Sequence, residues 1–162
     1  MIRIGNDTLK ITLHAPDGEK GYYRSTRFDW AGVFESIEYR GCNYCEPWFE
    51  KYSPFSHDAV CGPAEEFSPI GIEDVEVGEP FLKIGVGMLE KMEGDYDRFK
   101  LHKILDSGKR SLEVTQDRIS QRHVLESDLG YAYDYQKEII LMGDDSFRIS
   151  HRLVNNGTRA LK

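Results

Sequence analysis

The chain has 162 residues, with 21 Lys and Arg against 28 Asp and Glu, so its formal net charge is −7. This negative charge argues against a nucleic-acid backbone or an anionic membrane surface as a partner. A hydrophobic fraction of 40% and a charged fraction of 30% are typical of a soluble globular protein. The length fits one domain with a genuine core, and we assign residues 1–162 to a single domain.

The N-terminal segment has no long apolar core followed by a small-residue cleavage site, so it does not have the pattern of a signal peptide. No apolar run approaches the roughly 20 residues of a membrane helix. The three cysteines are an odd number and do not suggest a disulfide framework. We therefore expect a reducing, cytoplasmic location.

The first part of the chain alternates apolar and polar residues, which predicts strands. Two short strands are expected around Ile4 and Ile11, another over residues 22–30, and a fourth over residues 33–41. Residues 42–80 lose this period and are interrupted by five prolines. Loops of such length in compact domains are usually functional or disordered, and this one is too rich in aromatic residues for disorder, which favours a function.

The remainder of the chain reads as β-structure. Strands are predicted over residues 81–88 (with a bulge at Gly85 and Gly87), 99–105, 111–115, 117–125, 131–141 and 147–154. Asn155-Asn156-Gly157 predicts a hairpin leading into a new strand at Ala160 and Leu161. Because no segment has a sustained helical period, we predict an all-β, antiparallel β-sandwich. Its last strand is unfinished, which leaves a sheet edge to be covered by another chain or by another part of the same one.

Charged residues supply the first candidate site. Arg27 and Asp29 would share one strand face, either as a surface salt bridge or as a guanidinium and carboxylate that grip vicinal hydroxyls. His57 is interpreted either as a histidine in a surface loop or as a group that faces a ligand. Glu65 and Glu66 are interpreted either as a solvated acidic pair or as part of the surface that carries Arg27 and Asp29.

The aromatic residues between Tyr44 and Phe55, including Trp48, form either a lid over one end of the sandwich or a stacking platform for a pyranose ring. Cys42 and Cys45 form a lone CxxC. With His57 and Cys61 a mixed metal site can be drawn, but ordinary reduced cysteines are the better interpretation, so we predict no metal and no cofactor.

His151 shares its strand face with apolar residues, which favours a hydrogen-bonded core histidine over a catalytic one. The local pattern therefore gives no reason to place it in the site.

Several strings, in order, resemble one family. GYYRSTRFDWAGVFESIEYRG, PWFEKYSPFSHDAVCGPAEEFSPIG, PFLKIGVGMLEK and FRISHRLVNNGTRAL are similar to the opening half of bacterial galactose mutarotase-like (aldose 1-epimerase-related) proteins. The resemblance implies a supersandwich of antiparallel sheets with a concave face that binds a hexose-type sugar. It also implies that a carboxylate and a histidine interconvert the anomers by acid–base catalysis.

The resemblance assigns sugar binding to Arg27, His57 and one or both of Glu65 and Glu66. It places the catalytic histidine and the carboxylate base beyond Lys162, so the catalytic residues of this chain are unknown. Three hypotheses follow. The protein is an epimerase-like isomerase when completed by a second half, as a homo-oligomer or with a complementing chain, or it is a non-catalytic carbohydrate-binding sandwich. The third is a structural or regulatory sandwich with a vestigial pocket.

Overall fold

A computed structural model describes residues 1–47 and 51–162. Within these residues the secondary structure is β, apart from a single 3-10 turn at Ile72–Asp74. The strands are β1 (Ile2–Gly5), β2 (Leu9–His14), β3 (Val33–Tyr39), β4 (Cys42–Asn43), β5 (Pro80–Lys83), β6 (Gly87–Glu90), β7 (Ile104–Asp106), β8 (Lys109–Val114), β9 (Arg118–Glu126), β10 (Ala132–Leu141) and β11 (Phe147–Asn155).

The strands form three sheets in which every neighbouring pair is antiparallel. The N-terminal sheet has the order β1-β2-β3-β4, the hairpin sheet β5-β6-β7, and the central sheet β11-β10-β9-β8. Among the described strands, β11 is therefore an edge of the central sheet.

The central sheet buries one of its two faces. Successive side chains of a strand point to opposite faces, so the odd-numbered residues of β10 from Tyr133 to Ile139 all lie inside. The other face is polar and carries cross-strand ion pairs, Arg122–Asp134 and Arg118–Glu138.

Both smaller sheets pack on this buried face. Ile119 and Ile139 of the central sheet lie in one cluster with Ile11, Leu13 and Phe34 of the N-terminal sheet. A second cluster joins the hairpin sheet to the other part of the central sheet: Leu82, Met88, Leu125, Tyr133 and Tyr135. The predicted all-β, antiparallel sandwich is thus confirmed.

Two strand predictions are wrong. Residues 22–30 form turns and bends, because their backbone amides bond to isolated loop carbonyls: Arg24 to Pro54 at 2.8 Å and Asp29 to Glu65 at 2.9 Å. Residues 81–88 are a hairpin rather than one strand. Gly85, with φ 80°, lies in the turn between β5 and β6.

The chain also differs from expectation at two other places. Only Ile104–Asp106 of the strand expected over residues 99–105 is a strand. Ala160 and Leu161 do not begin a strand. After the turn at Gly157 the backbone folds back on the start of β10, and the Arg159 amide donates to the Gly130 carbonyl at 3.1 Å. None of the described elements is a helix long and apolar enough to span a bilayer.

Candidate functional site

Arg27 and Glu66 form the centre of a charged cluster at the surface. Nε of Arg27 donates to Oε2 of Glu66 at 3.0 Å, and Nη1 of Arg98 lies 3.3 Å from Oε1 of the same carboxylate. Nη1 of Arg27 also lies 3.5 Å from Nδ1 of His57. Three of the residues predicted for the site, Arg27, His57 and Glu66, are therefore brought together, and Arg98 joins them.

An exposed aromatic ring lies beside these polar groups. Phe99 is 56% exposed, its ring lies 5.1 Å from the Arg27 guanidinium carbon, and the edge-on His57 ring is 5.0 Å away. Phe28 contacts Arg27 as well, at 4.5 Å. We define the Arg27 cluster as Arg27, His57, Glu66, Arg98 and Phe99. It combines an apolar ring with forked hydrogen-bonding groups.

The described side chains of the aromatic loop are partly exposed and partly packed. Tyr44, Tyr52 and Phe55 are all exposed, and Arg24 lies 4.5 Å over the Phe55 ring. Tyr52 also stacks on Tyr22, with ring centroids 4.4 Å apart, so both the lid and the stacking platform stay predictions. Trp48 lies outside the described residues, so its assignment to the site stays a prediction.

Glu65 points away from the Arg27 cluster. Adjacent side chains of an extended segment project to opposite sides, so Glu65 faces the central sheet while Glu66 faces Arg27. Glu65 forms an ion pair with Lys137, and its Oε1 lies 3.2 Å from Nε2 of His151. The two glutamates thus belong to different groups of side chains.

Asp29 also lies apart from Arg27, contrary to the prediction that they share one face. That prediction assumed a strand, which residues 22–30 do not form. Asp29 is buried, and it accepts hydrogen bonds from the Ala31 amide at 2.9 Å and from Tyr135 Oη at 3.0 Å. Burial raises the pKa of Asp29 to about 6. A carboxylate buried in this way cannot grip a ligand at the surface.

His151 and Tyr135 connect Asp29 to Glu65. Because the Tyr135 hydroxyl donates to Asp29, Nδ1 of His151, 2.9 Å away, must donate to the tyrosine oxygen. Nε2 of the same ring lies 3.2 Å from Oε1 of Glu65, so the ring links the two carboxylates. We call Asp29, Glu65, Tyr135, Lys137 and His151 the Glu65 network.

The prediction that His151 is a core histidine is wrong in part. The side chain is hydrogen-bonded, but it is 36% exposed because β11 is a sheet edge.

Two glycines give the Glu65 network its space. Gly32 has φ 72°, and a Cβ there would lie 2.5 Å from Nζ of Lys137. Gly85 has φ 80°, and a Cβ there would lie 2.5 Å from Oδ1 of Asp29. Both positions need left-handed backbone and close approach, which glycine alone combines without strain.

The sequence interpretation missed Arg98, Phe99 and Lys137 as partners of the predicted residues. One signal was available for Lys137, which lies on an apolar strand face between Tyr135 and Ile139. A lysine in such a position is rarely fully buried without a partner.

The CxxC cysteines do not come together. Cys42 is exposed, whereas the buried Cys45 is hydrogen-bonded to Cys61, and burial raises the pKa of Cys61 to about 11. In residues 1–47 and 51–162 no three His, Cys, Asp or Glu side chains are grouped to hold a metal ion.

Comparisons with known protein families, with curated proteins and with solved structures found no match to this chain. The resemblance to the galactose mutarotase-like proteins therefore stays a prediction.

Proposed function

We propose that this protein binds a pyranose sugar at the Arg27 cluster. The proposal depends on one observation: the exposed Phe99 ring lies beside a guanidinium and a carboxylate that are fixed by their own ion pair. The resemblance described above points to the same class of ligand.

The chemistry of the cluster suits such a ligand. The CH face of a pyranose packs on an aromatic ring, and its vicinal hydroxyls take paired hydrogen bonds from a guanidinium and to a carboxylate. Arg27 and Glu66 are each about one-fifth exposed, so both keep an accessible edge while holding a fixed geometry. A sugar bound there would place its CH face on the Phe99 ring and its hydroxyls beside the charged groups around that ring.

Truncating Phe99 tests the binding surface without disturbing the core, because its side chain is mostly exposed. We expect Phe99→Ala to raise the Kd for galactose or glucose at least tenfold, and Arg27→Gln to raise it about 10- to 100-fold, since hydrogen bonds to charged groups contribute about 1.5–3 kcal/mol. Saturation-transfer NMR and calorimetry measure both.

Leu112→Ala is the control, because Leu112 is an exposed apolar side chain on β8, at the other edge of the central sheet from β11. Unchanged affinity in both site variants, or no sugar binding by the wild type, would rule out this surface.

We also propose a second candidate function, anomer interconversion, in which His57 and Glu66, which flank Arg27, take the catalytic roles that the resemblance places beyond Lys162. A carboxylate takes the proton of the anomeric hydroxyl while an imidazole that has taken up a second proton, in place of its contact with the Arg27 guanidinium, gives a proton to the ring oxygen. The C1–O5 bond then breaks to give the open-chain aldehyde. Rotation about C1–C2 and the reverse proton transfers yield the other anomer, so both groups return to their starting states.

Polarimetry and exchange NMR on α-galactose measure this activity. If His57 and Glu66 carry the transfers, His57→Asn and Glu66→Gln should each lower the rate about 10²–10⁴-fold. Arg118→Gln, on the outer face of the central sheet, should leave the rate unchanged. A wild-type rate equal to that of buffer would exclude the catalytic function while leaving sugar binding to be judged by its own titration.

A further inference from the structure

A cavity of about 400 Å³ opens beside the Arg27 cluster. Its lining includes Glu66 and Arg98 of that cluster, together with Ser68, Lys83 and Tyr96. The cavity therefore begins where the proposed sugar surface ends, and a ligand on that surface could extend a substituent into it.

Lys83 is the unusual residue of this cavity. Its side chain is only 1% exposed, and the one hydrogen bond that its ammonium group makes to the described residues is to Tyr96 Oη at 2.7 Å. In the part of the chain that the structure describes, Lys83 forms no salt bridge. Buried lysines are almost always paired, because an ammonium group without a counter-charge is costly to remove from water. Two of its three N–H donors remain for a ligand.

The charges around Lys83 do not balance. The charged side chains that act on it are Glu66, Arg98 and Arg27. With Lys83 this makes three positive charges and one negative charge, and the single carboxylate is already held by both arginines. The charged side chains that line the cavity, Lys83, Arg98 and Glu66, are net positive on a chain of net charge −7, which favours an anion as the ligand.

We infer that this cavity binds an anionic substituent of the sugar, a carboxylate or a phosphate, through Lys83 and Arg98. This inference rests on the proposed function for the sugar ring, but the anion site can be tested without the ring. Arg98 is 55% exposed and its Nη1 lies 3.3 Å from Oε1 of Glu66, so the exposed part of its guanidinium can fork onto a carboxylate or phosphate.

Calorimetry with four probes tests the inference: galactose, galacturonate, galactose 6-phosphate and inorganic phosphate. We expect the wild type to bind galacturonate or galactose 6-phosphate at least tenfold more tightly than galactose, and the stronger of the two identifies the anionic group. Lys83→Met should remove this preference and leave the affinity for galactose within about twofold, since Lys83 does not contact the sugar surface.

Lys83→Met is suited to the test because it replaces a buried amine with an apolar chain of similar length. It should fold with an unchanged or higher Tm, which circular dichroism measures. Lys10→Met is the matched control, made at an exposed lysine of β2.

The pH dependence gives an independent readout. Burial lowers the pKa of Lys83 to about 8, so its charge, and with it the preference for anionic sugars, should fall between about pH 7 and pH 9. The other charged groups that face Lys83 are Arg27, Arg98 and Glu66. Burial raises the pKa of its hydrogen-bond partner Tyr96 to about 12, above this range.

The outcomes separate the two proposals. Equal affinities for galactose and both anionic sugars would overturn the anion site and leave the sugar surface standing. Binding of inorganic phosphate that Lys83→Met abolishes, with no binding of any sugar, would support the anion site and overturn the sugar proposal. A preference for anionic sugars that persists in Lys83→Met would overturn the role given to Lys83.

Discussion

At the scale of single residues, His123 shows how burial fixes a protonation state. The side chain is 1% exposed, with Nε2 at 2.9 Å from the Ser107 carbonyl and Nδ1 at 3.0 Å from Tyr133 Oη. Since Nε2 must donate to the carbonyl, Nδ1 accepts from the tyrosine hydroxyl, and the imidazole is neutral. Burial and the nearby charge of Arg110 lower the pKa of His123 to about 3.

This shift predicts a loss of stability in acid. The unfolded state binds a proton below the ordinary value of 6.5, whereas folded His123 stays neutral down to about 3, so the free energy of unfolding falls as the pH drops through this window. The unfolding free energy of the wild type should fall by roughly 2 kcal/mol relative to His123→Gln between pH 6.5 and about pH 4.5. Urea titrations of both proteins at several pH values measure the difference.

Asp29 supplies the control, because its pKa is raised by folding whereas that of His123 is lowered. Its folded pKa is raised from 3.8 to about 6, so protonation stabilises the folded state as the pH falls through that range. Asp29→Asn should therefore make the acid-induced loss of stability steeper than in the wild type. Parallel pH profiles for the wild type and His123→Gln would contradict the role given to the imidazole.

At the scale of elements, the strand bounds are predicted best where apolar and polar residues alternate regularly along the chain. The strand predicted over residues 131–141 corresponds to Ala132–Leu141, and that over 117–125 corresponds to Arg118–Glu126. Both strands lie in a sheet with one buried face, so every second side chain faces the core. Apolar and polar residues therefore alternate along these strands.

Residues 22–30 carry a similar alternation without forming a strand. Their amides bond to carbonyls of Pro54, Glu65 and Gly85, which belong to three separate segments. Local pattern does not encode such partners, because each contact depends on where a distant loop comes to lie. The same reason accounts for the candidate site. Arg27, His57 and Glu66 stand out in the sequence, but their neighbours Arg98 and Phe99 follow only from the tertiary fold.

At the scale of the whole molecule, a polar row divides the buried face of the central sheet. Lys137 pairs with His151 on one side and with Gln121 on the other, so three polar residues lie in register across β9, β10 and β11. On one side of this row is the cluster with Ile119 and Ile139, and on the other is the cluster with Leu125 and Tyr135. The Glu65 network thus lies between two apolar cores that share the continuous strands β9 and β10.

Because those strands cross both cores, we expect the cores to unfold as one unit. Leu82 is fully buried in the hairpin sheet, and Leu82→Ala should lower the free energy of unfolding by roughly 2–5 kcal/mol. Native-state hydrogen exchange should then accelerate about 30-fold or more at the most protected amides of β2 and β3, which Leu82 does not touch, as well as in β5 and β6. Leu112→Ala, at an exposed apolar position of β8, should change neither set of rates by more than about twofold. Acceleration confined to the hairpin sheet would show instead that the polar row separates two independently unfolding halves.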